Sequence, residues 1–353
     1  MSLIATLAQD FRVNSPGFDA KEFRMTNTGI LNAYINQSNA VDSILTDELK
    51  SKAMQSAGRN VKIPVIDYQD VTVRTTRPIT IPTYANNSAL VTVVWTTMAF
   101  GFPMRSAEHY NNDIDRQKDF NKKFAAMIVK FSSVIEGYGA ANLNAGKTLV
   151  INGVTSGSTV GGHTLTSGVV SETVSDLKDA YIYADLPPMQ GQNDFYTTGL
   201  DVIGNQGVNA IMRRQEGFGE NNTENKQIQY AGNHFQWSNS ITNAGSTDAT
   251  GYAVAPGCLG VLFRVEPDAL LRTKLGNGTE WDSIILPGLE IPCGTYKYEG
   301  AIDISAEGAH VAHLTRTGQI MMDFAFEVGF ITAYNSDTAT IPSGIIKFDV
   351  EKS

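Results

Sequence analysis

The sequence predicts a mixed α+β protein, built around one long helix and many short strands. Between residues 112 and 138, apolar side chains recur every three or four positions, which is the period of a helix with one buried face. Residues 61–74 instead alternate apolar and polar side chains, which is the period of a strand, and residues 89–100 are predicted to be a returning strand. The 32 glycines, accompanied by many Asn, Ser and Thr residues, indicate numerous turns. A chain of 353 residues is long enough for two or three lobes.

The composition argues against several classes of protein. With 36 acidic against 27 basic residues, the net charge of −9 argues against a dedicated nucleic-acid binder, whose contact face is basic. The chain is 42% hydrophobic and 18% charged, so it can bury a core and is not globally disordered. No run approaches the roughly 18 apolar residues that span a bilayer, so we expect no membrane partner. Cys258 and Cys293 are too few for a disulfide scaffold or a four-ligand zinc site.

The N-terminus lacks the basic and apolar segments of a signal peptide, but it carries a short apolar stripe. Leu3, Ile4, Leu7 and Phe11 fall at helical spacing on one face. This stripe belongs either to a core helix or to an arm that docks on a neighbouring subunit. We expect the arm, because the segment precedes every element that builds a core. Residues 1–57 are therefore predicted to be this arm followed by a helix at 40–56.

Residues 58–105 are predicted to form a long two-stranded excursion from the body of the protein. Its outgoing strand alternates apolar and polar residues, and the segment before the returning strand contains Pro78 and Pro82. A two-stranded ribbon is only marginally stable in water, so we expect this one to pack on another subunit. The assembly residues predicted here are Val71, Val73 and Trp95.

The clearest helix is predicted from Asn112 to Tyr138. Asn112 can cap its first turn, and the acidic residues that follow suit the positive end of the helix dipole. We expect Gly137 and Gly139 to end it. Its core face is predicted to carry Phe120, Phe124 and Phe131.

The rest of the chain is predicted to be mainly strands with a few helical segments. The expected order is short strands and a loop at 147–170, a helix at 171–185, a partly helical stretch at 195–215, a polar stretch at 216–250, and then strands to the C-terminus apart from a helical turn at 266–275.

One motif resembles a phosphate-binding loop but lies in the wrong context. Residues 141–148 read Ala-Asn-Leu-Asn-Ala-Gly-Lys-Thr, with Ala in place of the first Gly. A phosphate-binding loop follows a strand and precedes a helix, so that backbone N–H groups face the phosphates. Here a helix precedes the motif and a strand follows it. We therefore predict a connector, with Gly146 in the turn and Lys147 in solvent.

No residues are predicted to be catalytic, to bind a cofactor or to hold a metal. His310 and His313 are three apart, and on a strand this spacing sends the two side chains to opposite faces. The sequence has no Gly-x-Ser-x-Gly elbow and no pair of carboxylates placed for acid–base catalysis. The two cysteines are expected to be small buried hydrophobic residues.

The order of these elements resembles that of a tailed-phage major capsid protein of the HK97-like fold. The resemblance rests on an N-terminal arm, a long β excursion, a long helix, a mixed lobe and terminal strands, and on the segments 255–267 and 288–292. It implies an E-loop at 58–105, a peripheral P-domain at 106–174 and 319–353 around the long spine helix, and an axial A-domain at 175–318. Some family members cross-link a lysine to an asparagine, but neither Lys62 nor any Asn here can be aligned with those positions.

The function implied by this resemblance is structural. The chain would assemble as hexamers and pentamers into an icosahedral or prolate shell that encloses double-stranded DNA without sequence-specific binding. Scaffold, portal and decoration proteins would be its partners, and the virion, assembled in the host bacterial cytoplasm, its location. The alternatives are an encapsulin-like compartment, a tail-tube or other virion protein, and an enzyme of mixed α/β type.

Overall fold

The computed structural model describes seventeen segments of the chain. They are residues 3–14, 29–40, 43–55, 60–66, 88–104, 113–147, 149–152, 159–160, 163–164, 201–207, 228–230, 233–243, 249–254, 257–265, 279–299, 320–332 and 345–350.

The described residues form four helices and fifteen strands, which confirms the predicted α+β class. The helices are α1 Leu3–Asn14, α2 Gly29–Ser38, α3 Asp47–Gln55 and α4 Asp113–Gly146. The strands are β1 Lys62–Ile66, β2 Ser88–Thr92, β3 Trp95–Met104, β4 Leu149–Asn152, β5 Thr159–Val160, β6 His163–Thr164, β7 Asp201–Gly204, β8 Ile228–Tyr230, β9 Asn233–Trp237, β10 Ala249–Val254, β11 Leu259–Val265, β12 Thr279–Leu286, β13 Ile291–Glu299, β14 Ile320–Thr332 and β15 Ile345–Val350.

The long helix α4 continues further than its glycines predicted. The expectation that it ends at Gly137 and Gly139 is wrong, since it runs to Gly146 over 34 residues. A glycine costs a helix about 1 kcal/mol, which packing can offset. A Cβ at position 139 would lie 2.6 Å from Ile30 Cγ2, so the missing side chain lets α2 approach α4 closely.

A five-stranded sheet lies beneath α4. The long strand β14 pairs along one edge with β3, and its other edge pairs first with β13 and then with β11, while β12 completes the sheet beyond β13. We call the side that meets α4 the near face and the opposite side the far face. Phe102, Phe324 and Phe326 project from the near face and contact rings of α4.

The N-terminal helix α1 also packs on the near face, beside α4. Ile4, Leu7 and Phe11 are buried in the main hydrophobic core, and Leu3 packs against it. Phe11 meets Phe124 of α4 edge-on, with 5.2 Å between ring centroids. The stripe therefore belongs to a core helix of its own chain, and the expectation of an arm on a neighbour is corrected for these residues.

A second, six-stranded sheet has the order β4-β15-β10-β7-β9-β8. The partly helical stretch expected at 195–215 is corrected at Asp201–Gly204, which is strand β7. In this sheet, strands from the predicted P-domain lie beside strands from the predicted A-domain, as do β14 and β13 in the five-stranded sheet. Both sheets therefore contain strands from both predicted domains, whose boundaries were placed at residues 175 and 318. The helix expected at 171–185 and the turn at 266–275 lie outside the described residues.

Helix α2, which was not predicted from the sequence, joins the two sheets. The side chain of Gln37 accepts a hydrogen bond from the backbone N–H of Leu259 in β11 and donates one to Asp201 in β7. Ser38 Oγ accepts from the N–H of Val261, two residues further along β11. These side chains take the place of a neighbouring strand at that edge of β11.

Candidate assembly surface

The strands β1 and β2 form an antiparallel ribbon separate from the two large sheets. Their register runs from Lys62 opposite Thr92 to Ile66 opposite Ser88. Leu90 on β2 is 64% exposed, and Val94 just beyond it is 75% exposed. On a two-stranded ribbon, which is only marginally stable alone, apolar side chains at this exposure are candidates for contact with another molecule. Residues 67–87, which include the predicted assembly residues Val71 and Val73, lie outside the described residues.

The base of the ribbon is buried on the far face. Ile63 of β1 and Val93, which joins β2 to β3, pack in a small cluster with residues from around α3, β11 and β14. The other buried members are Leu45, Ala53, Leu262 and Ile331. The Val93 N–H donates to Val61 O at 2.9 Å and extends the ribbon pairing by one rung.

Two glycines make this close seating possible. A Cβ at Gly329 of β14 would overlap Val93 Cγ1, and a Cβ at Gly260 of β11 would lie 2.8 Å from Leu45 Cδ1. Real Cβ atoms do not approach other heavy atoms so closely. The two glycines therefore allow the ribbon base and the segment before α3 to lie directly on the sheet.

A buried ion pair lies next to this seat. Arg264 of β11 and Glu327 of β14 are register partners, 2% and 0% exposed, and their charged groups are 2.7 Å apart. Thr97 of β3, in register with Glu327, donates to its other carboxylate oxygen at 3.2 Å. The Arg264 guanidinium lies over the Trp95 ring, 4.0 Å from the centroid, in a cation–π contact.

The predicted site residues thus fall into distinct places. Trp95 begins β3 and stacks on Arg264 at the ribbon base. It is half-buried inside its own chain, where it anchors the base of the ribbon, and its contact with another subunit stays a prediction. Phe120, Phe124 and Phe131 are buried in the core, as expected for the inner face of the long helix.

A second buried carboxylate, which the sequence reading missed, holds α2 to α4. Glu136 of α4 accepts hydrogen bonds from the backbone N–H groups of Ile30 and Leu31 and from Ser238 Oγ. Burial raises the pKa of Glu136 from 4.5 to about 7, although these three donors oppose the rise. The only sequence signal was an acidic residue beside the apolar stripe of a helix.

The sequence motifs considered for chemistry lie, where they are described, at the end of a helix or in the buried core. Residues 141–146 form the last turns of α4, and Lys147 Nζ donates to Asn144 O at the end of that helix. Cys258 and Cys293 are buried, and burial raises the pKa of the Cys258 thiol to about 12 and that of Cys293 still further. His310 and His313 lie outside the described residues.

The described segments contain neither a cluster of metal ligands nor a helix suited to a membrane. In them, no three or more His, Cys, Asp or Glu side chains are grouped as a metal ion would require. No helix in the same segments has the length and apolar character needed to cross a bilayer.

The chain is similar in fold to solved phage capsid structures. Against the capsid of Ralstonia phage GP4, the TM-score is 0.49 at 10% identity, covering 91% of each chain. Against the cyanophage Pam1 capsid it is 0.47 at 11% identity, covering 89% of this chain and 91% of that one. Against the capsid of cyanophage P-SCSP1u it is 0.44 at 11% identity, covering 84% and 85%. No protein-family model matches the sequence, and no curated protein matches it either.

Proposed function

We propose that this chain is the major capsid protein of a tailed phage and that it self-assembles into a closed shell around double-stranded DNA. The observation that carries the proposal is the ribbon β1–β2. It is a two-stranded element whose base is anchored in the body, while Leu90 and Val94 stay exposed. In a symmetric assembly such an element gains a partner surface on the next copy.

The body of the protein fits the role of a rigid building block. One 34-residue helix and a five-stranded sheet share an aromatic core, and α2 links that sheet to the second one. A shell subunit has to transmit contacts from one neighbour to the next without deforming, and close-packed interiors have low compressibility.

The remaining partners follow from the role. Hexamers and pentamers of the chain would form the shell, with scaffold, portal and decoration proteins as further partners. The excess of acidic residues, giving a net charge of −9, suits a wall that does not hold packaged DNA tightly. The proposed location is the virion, with assembly in the host cytoplasm and no catalytic role.

The direct test is electron microscopy and sedimentation of the purified protein. Closed shells are expected, whereas tubes or isolated subunits would contradict the proposal. The nucleic acid recovered from particles made during infection separates a phage capsid from an encapsulin-like compartment, which would hold cargo protein in place of a genome.

A pair of variants tests whether the ribbon makes the contact. Leu90→Asp is expected to leave the melting temperature of the subunit unchanged and to abolish shells, because a carboxylate would be buried between copies. Val13→Asp, at a similarly exposed position of α1 (69%), is the matched control and should still assemble. Normal shells from Leu90→Asp would remove the ribbon from the interface.

A further inference from the structure

We propose that the base of the ribbon is a rigid seat that fixes the angle at which the ribbon leaves the body. The seat consists of Gly329 and the stack of Trp95, Arg264 and Glu327. Its role in presenting the ribbon to a second copy of the chain rests on the proposed function, whereas its rigidity does not.

The first argument is the shape of the joint. Only Val93 and Val94 separate β2 of the ribbon from β3 of the sheet. Val93 is buried against the bare backbone of Gly329, while Val94 is exposed. A β-branched side chain has few rotamers, so Val93 fits this space in one orientation and opposes rotation about the joint.

The second argument is the polar stack immediately beyond the joint. Thr97, Glu327 and Arg264 stand side by side on three adjacent strands, linked by hydrogen bonds of 3.2 Å and 2.7 Å. Arg264 then places its guanidinium on the ring of Trp95, the first residue of β3. Buried charges tolerate little displacement, because a charge that loses its partner in a dry environment is costly.

Neither feature is needed simply to fill a core. The near face shows that this sheet can be stabilised mainly by apolar contacts, and a buried ion pair is weak evidence for stability. What the ion pair, the stacked ring and the glycine have in common is that each demands one geometry. All three meet where the ribbon begins.

The test measures the distance from the ribbon to the body by pulsed electron paramagnetic resonance. Cysteines introduced at the exposed positions Leu90 and Ile114 carry the spin labels, the native Cys258 and Cys293 are buried, and assembly is scored separately on chains without labels. The labelled chain is diluted into an excess of unlabelled chain, so that only distances within one subunit are recorded. The parent protein is expected to give one narrow distribution.

Gly329→Ala is the decisive variant. Its methyl group has to displace Val93, so the distribution should shift or roughly double in width, and shells should be lost. Gly137→Ala is the matched control, because a Cβ there meets open space. Val93→Ala added to Gly329→Ala removes the overlap and should restore both the parent distance and assembly.

A broad distribution in the parent protein would overturn the proposal, even if Gly329→Ala fails to fold. An unchanged distribution in a folded Gly329→Ala would overturn it too. If the parent protein forms no shells but its distribution is narrow, the rigid seat stands and only the capsid function fails.

Discussion

The two faces of the five-stranded sheet are stabilised by different chemistry. The near face contacts α1 and α4 through a continuous apolar core rich in phenylalanine. The far face carries a small apolar cluster, two glycines under close contacts and the buried pair Arg264–Glu327. The near face therefore gains most of its free energy from buried area, which depends little on direction. The stability of the far face depends more on the positions of individual atoms, because its ion pair and close contacts are directional.

This difference separates two tasks within one sheet. Cores that rest on apolar burial tolerate changes of shape when volume is kept, so the near face is suited to holding the body together. Buried polar groups and close contacts at glycine tolerate very little displacement, so the far face is suited to holding the ribbon in one orientation. The ribbon that we propose for assembly is attached to the far face.

The largest expected effect is Phe124→Asp on the near face. Phe124 contacts the rings of Phe11, Phe120 and Phe324, and an unpaired carboxylate there should prevent stable folding. Circular dichroism and thermal melting provide the measurement. Phe100→Asp, at a partly exposed position of β3, is the control and should fold. A cooperative melt close to that of the parent for Phe124→Asp would refute the near-face core.

On the far face, Arg264→Met should lower the free energy of unfolding by about 3–5 kcal/mol, because it leaves Glu327 buried and unpaired. Adding Glu327→Leu should recover most of the loss, since both charges are then absent. Chemical denaturation of the single and double variants completes the cycle. Additive losses would show that the two residues act independently, against the structure.

Leu7→Ala tests the N-terminal helix. Because Leu7 is buried in the main core, its truncation should cost about 2–5 kcal/mol of unfolding free energy. Val13→Ala, on the exposed side of the same helix, should change stability by less than about 0.5 kcal/mol. Equal stability of the two variants would instead support the prediction that α1 is an arm that docks on a neighbouring subunit.

Glu136 is a charged group within the apolar surroundings of α4, and it predicts a pH dependence. Its pKa of about 7 in the folded protein lies above the ordinary 4.5, so folding favours the protonated acid. Its contribution to stability is therefore greatest below pH 4.5 and falls by about 3 kcal/mol as the pH rises through 7. Glu136→Gln should remove this part of the pH profile in denaturation measurements. A pH profile identical to that of the parent would show that Glu136 does not cause this pH dependence.

The smallest effect is expected from Lys147→Ala, away from both faces. Its ammonium group is exposed and donates to a local acceptor, Asn144 O at the end of α4. Stability should change by less than about 0.5 kcal/mol, and neither protein should bind ATP. Saturable ATP binding by the parent that disappears in the variant would support the hypothesis that residues 141–148 form a phosphate-binding loop.

Comparison with the sequence shows why some features were predictable. Phe120, Phe124 and Phe131 repeat at helical spacing over several turns, so their common face could be read locally. Helix α2 could not be predicted in this way, because its buried face includes Gln37 and Ser38. Polar residues are normally exposed, and partners far along the chain, among them Leu259 and Val261, satisfy these two buried side chains.

The sequence by itself determined the α+β class and the long helix with its aromatic stripe, because periodicity acts over a few positions. It did not determine where the ribbon ends: residues 95–104, predicted as part of the excursion, form β3 of the five-stranded sheet. Only the tertiary structure decided that α1 lies in its own core, that α4 continues past Gly137 and Gly139, and that Trp95 anchors the ribbon on Arg264. An amphipathic stripe specifies that a helix must be buried, but not against which surface. That choice depends on contacts between residues far apart in the chain, and local patterns carry no record of them.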